Sequence, residues 1–177
     1  TLINGAQQFG FDVQVLKHQQ ALGSKISSSN IRTLLSQGKL TQVSQLIGKP
    51  FSICARVAHG AKRGTSIGFP TANLAFHPAS KLLQGVFATK VTVNNKQYQG
   101  VANSGTRPTV DGLKHVSEVH ILNFEGDLYG KKITVEFLHK LRDEQRFDNI
   151  EKLKQQINVD VQNAKAFFAQ YLLPEID

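Results

Sequence analysis

Phe51-Ser52-Ile53-Cys54-Ala55-Arg56-Val57 places an apolar residue at every second position, the mark of a strand with one face against a core. Further strand candidates follow at Val86 to Val93, Gln97 to Ala102, Val116 to Phe124 and Lys132 to His139. Asn94-Asn95 and Glu125-Gly126-Asp127 supply turn chemistry between them. Five or six strands joined by short turns argue for a closed or nearly closed antiparallel barrel, so the chain is expected to be mainly β. After Phe147 the period changes. Asp148 offers an N-cap with Glu151 three residues on, and Ile150, Leu153, Ile157, Val161, Ala164 and Phe168 recur at three and four. One long C-terminal helix is expected there, with a weak point near Val159 and an end before Pro174.

Residues 1–48 have a different character. Phe11 to Leu16 alternates as a short strand, Ser27 to Gln37 reads as a helix ended by Gly38, and Thr41 to Ile47 as a second one stopped by Gly48 and Pro50. Lys25-Ile26-Ser27-Ser28-Ser29-Asn30-Ile31-Arg32 sets hydroxyls at a helix N-terminus, a place that favours anions, although ordinary capping explains the serines alone.

The 177 residues are 40% apolar, enough for one domain and an appendage. No apolar run approaches the roughly 18–20 residues of a membrane span, and no basic stretch leads into an apolar block as in a leader. Cys54 is the lone cysteine, so no internal disulfide forms, and its place in an apolar run reads as a buried thiol in a reducing, cytoplasmic protein. Thr1 and the absence of methionine are read as the mark of a piece of a longer product. The net charge of +8 is scattered, with pairs at Lys62-Arg63 and Lys131-Lys132 but no long basic run. That distribution suits phosphorylated small molecules better than nucleic acid or a membrane surface. The six histidines show no zinc-ligand spacing with Cys54, and no nucleophile-elbow sequence is present.

The chemistry concentrates in Gly60-Ala61-Lys62-Arg63-Gly64-Thr65-Ser66-Ile67-Gly68-Phe69-Pro70-Thr71-Ala72-Asn73. Its three glycines let backbone N–H groups approach an anion, and Lys62 and Arg63 add positive charge. Pro70 pushes the chain into extended form, where Thr71 and Asn73 project from one face. A hydroxyl and an amide carbonyl are hard, neutral donors suited to Mg²⁺ when phosphates carry most of the charge. A surface hairpin loop would account for the glycines alone. The stretch is neither a Walker A loop nor a dinucleotide fingerprint. Glu118 is the candidate general base. It interrupts the face read as Val116, His120, Leu122 and Phe124, where a carboxylate needs a purpose or a partner, and a structural salt bridge is the other explanation.

The glycine loop leading into Pro-Thr-Ala-Asn resembles the signature of riboflavin kinases. The resemblance continues through Gly100-Val101-Ala102-Asn103-Ser104-Gly105-Thr106-Arg107-Pro108-Thr109, Glu118-Val119-His120-Ile121, Asp127-Leu128-Tyr129-Gly130 and Leu141-Arg142-Asp143-Glu144-Gln145-Arg146-Phe147. It implies a six-stranded antiparallel riboflavin kinase-like barrel with a long C-terminal helix over residues 49–177. The activity implied is ATP-dependent phosphorylation of riboflavin to FMN, with Mg²⁺ bound alongside ATP at Thr71 and Asn73 and with Glu118 as base. Family matching places Gly64 and Phe69 on the nucleotide side of the loop and adenine near Ile121, Asn123 and Tyr129. It places the flavin near Arg142, Gln145 and Phe147, with Arg146 a weaker match. Without the match, Tyr129 reads equally as a core aromatic and Arg142-Asp143-Glu144 as a solvated charge cluster. Ser104 departs from the usual apolar residue of the family.

The Lys25 to Arg32 block resembles the phosphate-binding end of the FMN adenylyltransferase module that precedes the kinase in bacterial bifunctional enzymes, with Ser29 where relatives commonly have threonine. The nucleotide-binding sheet and His-x-Gly-His-type motif of that module have no counterpart here. Residues 1–48 therefore read as a short α/β remnant of it plus a linker helix, unable to adenylylate FMN alone. Two other readings stay open: a noncatalytic flavin- or nucleotide-binding regulatory barrel, and a barrel binding single-stranded nucleic acid.

Overall fold

A computed structural model describes residues 2–14, 20–21, 24–60, 64, 67–75, 77–109 and 112–171. Helix α1 (Leu2–Phe9) and the two-residue strands β1 (Gln20–Ala21) and β2 (Ser24–Lys25) come first, followed by helices α2 (Ser28–Ser36) and α3 (Leu40–Ile47). Six longer elements follow: β3 (Phe51–Ala58), β4 (Ala72–Leu74), β5 (Gly85–Val93), β6 (Lys96–Thr109), β7 (Gly112–Ile121) and β8 (Lys132–Arg142). They close an antiparallel barrel in the order β3-β4-β7-β6-β5-β8, and α4 (Ile150–Tyr171) ends the described chain.

The barrel forms because the alternating residues give each strand an inward apolar face. Ile53, Ala55 and Val57 of β3, Phe87 and Val91 of β5, Val119 and Ile121 of β7, and Ile133, Val135 and Phe137 of β8 make one buried cluster. Phe87 and Phe137 meet edge to face at 5.5 Å, a favoured aromatic geometry. Asn94 and Asn95 both have positive φ and close the β5–β6 hairpin as a type I′ pair. Leu35 of α2 and Leu40 and Val43 of α3 belong to the same cluster, and Ile31, Leu34 and Ile47 pack against it. The two helices therefore cap one end of the barrel, each buried side chain contributing roughly 1.5–3 kcal/mol.

Several expectations change. Residues 11–14 of the strand expected at Phe11 to Leu16 have no regular structure, and its last two residues lie outside the described set. Among the described residues, 11–14 have no partner strand, and the helix Leu2–Phe9 was not foreseen. Cys54 is exposed, because the phase of β3 turns Ile53 and Ala55 inward, and Thr134 Oγ1 donates to its Sγ at 3.3 Å. Strand β6 extends beyond the expected Gln97 to Ala102 as far as Thr109, carried by unbroken pairing from Gly100↔Ile121 to Thr109↔Gly112. Helix α4 runs unbroken through Val159, and its first turn is capped by Asn149 Oδ1, which accepts from Lys152 N at 2.8 Å, while Asp148 pairs with Lys152 Nζ.

Ser104, the departure from the family pattern, is buried within a polar cluster of the barrel. Its Oγ lies 2.8 Å from Ser117 Oγ, 3.0 Å from His115 Nε2 and 3.4 Å from the Ser80 carbonyl. Burial, with Lys81 as a second cause, holds the His115 imidazole below its ordinary value. Its depressed folded-state value means that the unfolded chain binds the proton more readily. Stability is thus fully present above the ordinary imidazole value and falls as the pH drops below it. Denaturant titrations from pH 7.5 to 5 should show a declining midpoint, and His115→Gln should flatten that decline; an equal decline in the variant would remove His115 as its source.

Candidate functional site

The barrel's inward residues are its core, so the side chains expected to carry chemistry on β4 and β7 lie on the outer face. Ala72 points into the core, which turns its neighbours Thr71 and Asn73 outward and half-buried. Ser117, Val119 and Ile121 point inward on β7, so Glu118 and His120 also face out. The phase read from the sequence was therefore reversed: Glu118 does not interrupt the barrel interior. Strand pairing sets Asn73 opposite Glu118 and Glu118 opposite Asn103, which makes a polar row across three strands. Directly opposed side chains have Cβ atoms about 4.5–5.5 Å apart, so the row is a contiguous site.

Gly60 and Gly64 lie against that row. A Cβ on Gly60 would collide with the Asn73 amide, and one on Gly64 would collide with the Phe69 carbonyl while standing 3.2 Å from Thr71 Oγ1. Each glycine thus permits backbone to approach one of the two oxygen donors. Phe69 N donates to the Gly64 carbonyl at 2.8 Å, closing the segment on itself. Lys62 and Arg63 lie outside the described residues. His120 fixes the exit: its ring nitrogen Nδ1 is 2.8 Å from the Pro70 carbonyl, and because a carbonyl only accepts, Nδ1 carries the proton. The Phe69 ring meets the same imidazole edge to face at 5.5 Å. His120 thereby ties β7 to the peptide preceding Thr71.

Thr71 and Asn73 fit the outer positions of a Mg²⁺ bound to phosphates, since both present neutral oxygen-bearing side chains on one face. Among the described residues no group of three or more His, Cys, Asp or Glu side chains converges as a metal centre. The residues expected around adenine are dispersed in role. Ile121 is buried in the core cluster, Asn123 is exposed at positive φ in the turn after β7, and Tyr129 stacks on His59 at 4.2 Å. His59, one residue before the glycine loop, was not singled out from sequence; its nearness to Gly60 was the available signal.

Of the residues expected at the flavin, Gln145 and Phe147 line a cleft of about 460 Å³ with Arg146, Asp148, Lys152 and Gln156 of the α4 region. That volume is ordinary for a small-molecule site. Arg142 stands behind the cleft. Its Nε and Nη2 donate to the two carboxylate oxygens of Asp160, each at 2.8 Å, Nη1 donates to the Asp143 carbonyl, and the guanidinium lies 5.8 Å from the Phe147 ring centre. Three of its five donors are thus taken within the chain. Asp160 is 2% exposed and also accepts from Gln156 Nε2 at 3.0 Å. Removing one member of such a buried pair strands the other, whereas replacing both with apolar groups does not. Arg142→Met should lower unfolding free energy by roughly 3–5 kcal/mol, and Arg142→Met with Asp160→Leu should recover most of it in a denaturant titration. A double variant as unstable as the single would show that the pair does more than satisfy itself.

Residues 47–168 match the Flavokinase (riboflavin kinase) family model. The chain belongs to the riboflavin kinase family. A bifunctional riboflavin kinase/FMN adenylyltransferase of Haemophilus influenzae is 43% identical over 164 residues, covering 92% of this chain and 53% of that protein. The protein of the same name in Escherichia coli K12 is 40% identical over 168 residues, covering 94% and 54%. This family member spans about half the length of these relatives. A crystal structure titled as a macrolide-efflux protein from Streptococcus pneumoniae superposes with TM-score 0.75 at 30% identity, over 93% of this chain and 55% of that one. No described helix here is long and apolar enough to cross a membrane.

Proposed function

We propose that this chain is an ATP:riboflavin 5′-phosphotransferase that yields FMN and ADP, with Mg²⁺ bound alongside the nucleotide. The carrying observation is the outward row Asn73–Glu118, with Thr71 beside it and the glycine loop packed against both donors, in a chain matched by the family model. Phosphoryl transfer to an alcohol requires a held triphosphate, an aligned hydroxyl and a proton acceptor. Thr71 and Asn73 hold the metal, and the segment from Gly60 to Phe69 covers the phosphates. Metal bound there supplies neutralisation of charge on the phosphate oxygens. Glu118 accepts the proton of the ribityl 5′-hydroxyl, and the adenine lies near Ile121, Asn123 and Tyr129. Phe147 presents its face to the flavin ring, Gln145 offers it polar contacts, and Arg142 holds Phe147 in place.

Residues 49–177 form the kinase unit in this reading, and residues 1–48 are the end of an adenylyltransferase-type module plus a linker helix. Adenylylation of FMN is not expected from this chain alone. An ATP-consuming reaction and an exposed thiol both suit the cytoplasm. The test is to incubate the chain with riboflavin and ATP, with Mg²⁺ or with a chelator, and to separate the flavins chromatographically. FMN that appears only with Mg²⁺ supports the proposal. Bound flavin without FMN would replace it with a noncatalytic binding barrel, and FAD would overturn the reading of residues 1–48.

A further inference from the structure

Three buried side-chain oxygens among the described residues lack a hydrogen-bond partner: Thr89 Oγ1, Glu136 Oε2 and Asn103 Oδ1. Thr89 is sealed among the inward residues of β5, and Glu136 Oε2 stands 3.0 Å from the Lys90 ammonium, so its charge is answered. Asn103 differs from both. It lies on the outer face of β6, in the row with Glu118 and Asn73, and its Oδ1 needs a donor. A carboxylate cannot be that donor, since its oxygens accept. An amide oxygen left orphaned next to a reactive carboxylate costs the free protein stability, and that cost is recovered when a hydroxyl arrives. The neighbouring ground is shaped to match: two residues along β6 the Glu144 carboxyl occupies the space over Gly105, which bounds the row on the side of the Gln145–Phe147 cleft.

We propose that Asn103 is a positioning residue for the acceptor's polyol chain. Its Oδ1 accepts a hydrogen bond from a secondary hydroxyl of the ribityl group and so holds the terminal hydroxyl against Glu118. This rests on the phosphotransferase reading and adds to it a determinant that favours flavins bearing a hydroxylated side chain.

The experiment is a cycle between residue and hydroxyl. Wild-type chain and Asn103→Ala are assayed for kcat/KM with riboflavin and with its 2′-, 3′- and 4′-deoxy analogues, and each protein's melting temperature is measured. Asn103→Ala should lose about 5- to 150-fold with riboflavin, the range for leaving one buried partner unmet. One deoxy analogue should cost the wild type a similar factor, yet cost the variant almost nothing further. Melting should be unchanged or raised, because the orphan acceptor is gone. Asn103→Ser, which keeps a small polar group, should fall between. Losses that multiply independently for all three analogues, or a lowered melting temperature with equal losses on every substrate, would overturn the proposal and make Asn103 structural. If the wild-type chain forms no FMN, the phosphotransferase reading falls and Asn103 with it; FMN formation with independent losses removes Asn103 alone.

Discussion

Glu118→Gln is expected to fold and melt like the unaltered chain and to form FMN about 10²–10⁴-fold more slowly, the usual worth of a general base. The substitution keeps the size and one acceptor of the side chain but removes its capacity to take a proton. Because Glu118 lies on the outer face of β7, half-buried and opposite both Asn73 and Asn103, the barrel core does not sense the change. Single-turnover measurements with saturating riboflavin and Mg²⁺-ATP would isolate the transfer step. A variant that transfers at a near-normal rate while binding both substrates would remove Glu118 from the chemistry.

Gly64→Ala should cost about as much by a different route. The new methyl group collides with the Phe69 carbonyl, a backbone atom that cannot swing aside, and it crowds Thr71 Oγ1. The segment that carries Thr71 has to shift, and a displacement of about 1 Å in a positioning group is worth on the order of 10²-fold in rate. The loss should fall on turnover and on the Mg²⁺ concentration needed for half-maximal rate, with the barrel's melting temperature little changed. Gly60→Ala meets only the end of the Asn73 side chain, so it should raise the Mg²⁺ requirement with a smaller loss at saturation. Equal rates and equal Mg²⁺ requirements in both variants would show that these close approaches do not position the donors.

The strands from Phe51 onward were legible because a barrel buries one face of each, and burial of one face writes a period of two into the residues. The same rule misled at β7. Its outer face is also partly covered, since the Phe69 ring packs edge to face on His120. A strand covered on both sides loses its alternation, so Val116, Glu118 and His120 read as the core face when Ser117, Val119 and Ile121 hold that place. Thr71 and Asn73 were legible for a local reason: Pro70 fixes the extended chain, and two residues apart in extended chain means one face. Asn103 was not, because its meaning comes from a partner strand and from the phase of β6. Nor was the clamp of Arg142 by Asp160, which joins residues 18 positions apart only once the helix has docked on the barrel. In isolation Arg142-Asp143-Glu144 looks like solvated charge; Asp143, paired with Lys140, and Glu144 stay exposed, and Arg142 does not.

Leu35, Leu40 and Val43 finish the interior of a barrel whose proposed chemistry begins only at Gly60. The point at which catalysis starts along the polypeptide is thus not a point at which the polypeptide can be cut. A gene rearrangement that moved the barrel to a new neighbour would have to carry residues 28–47 along as a stopper. The heritable unit is therefore wider than the stretch proposed to carry the chemistry.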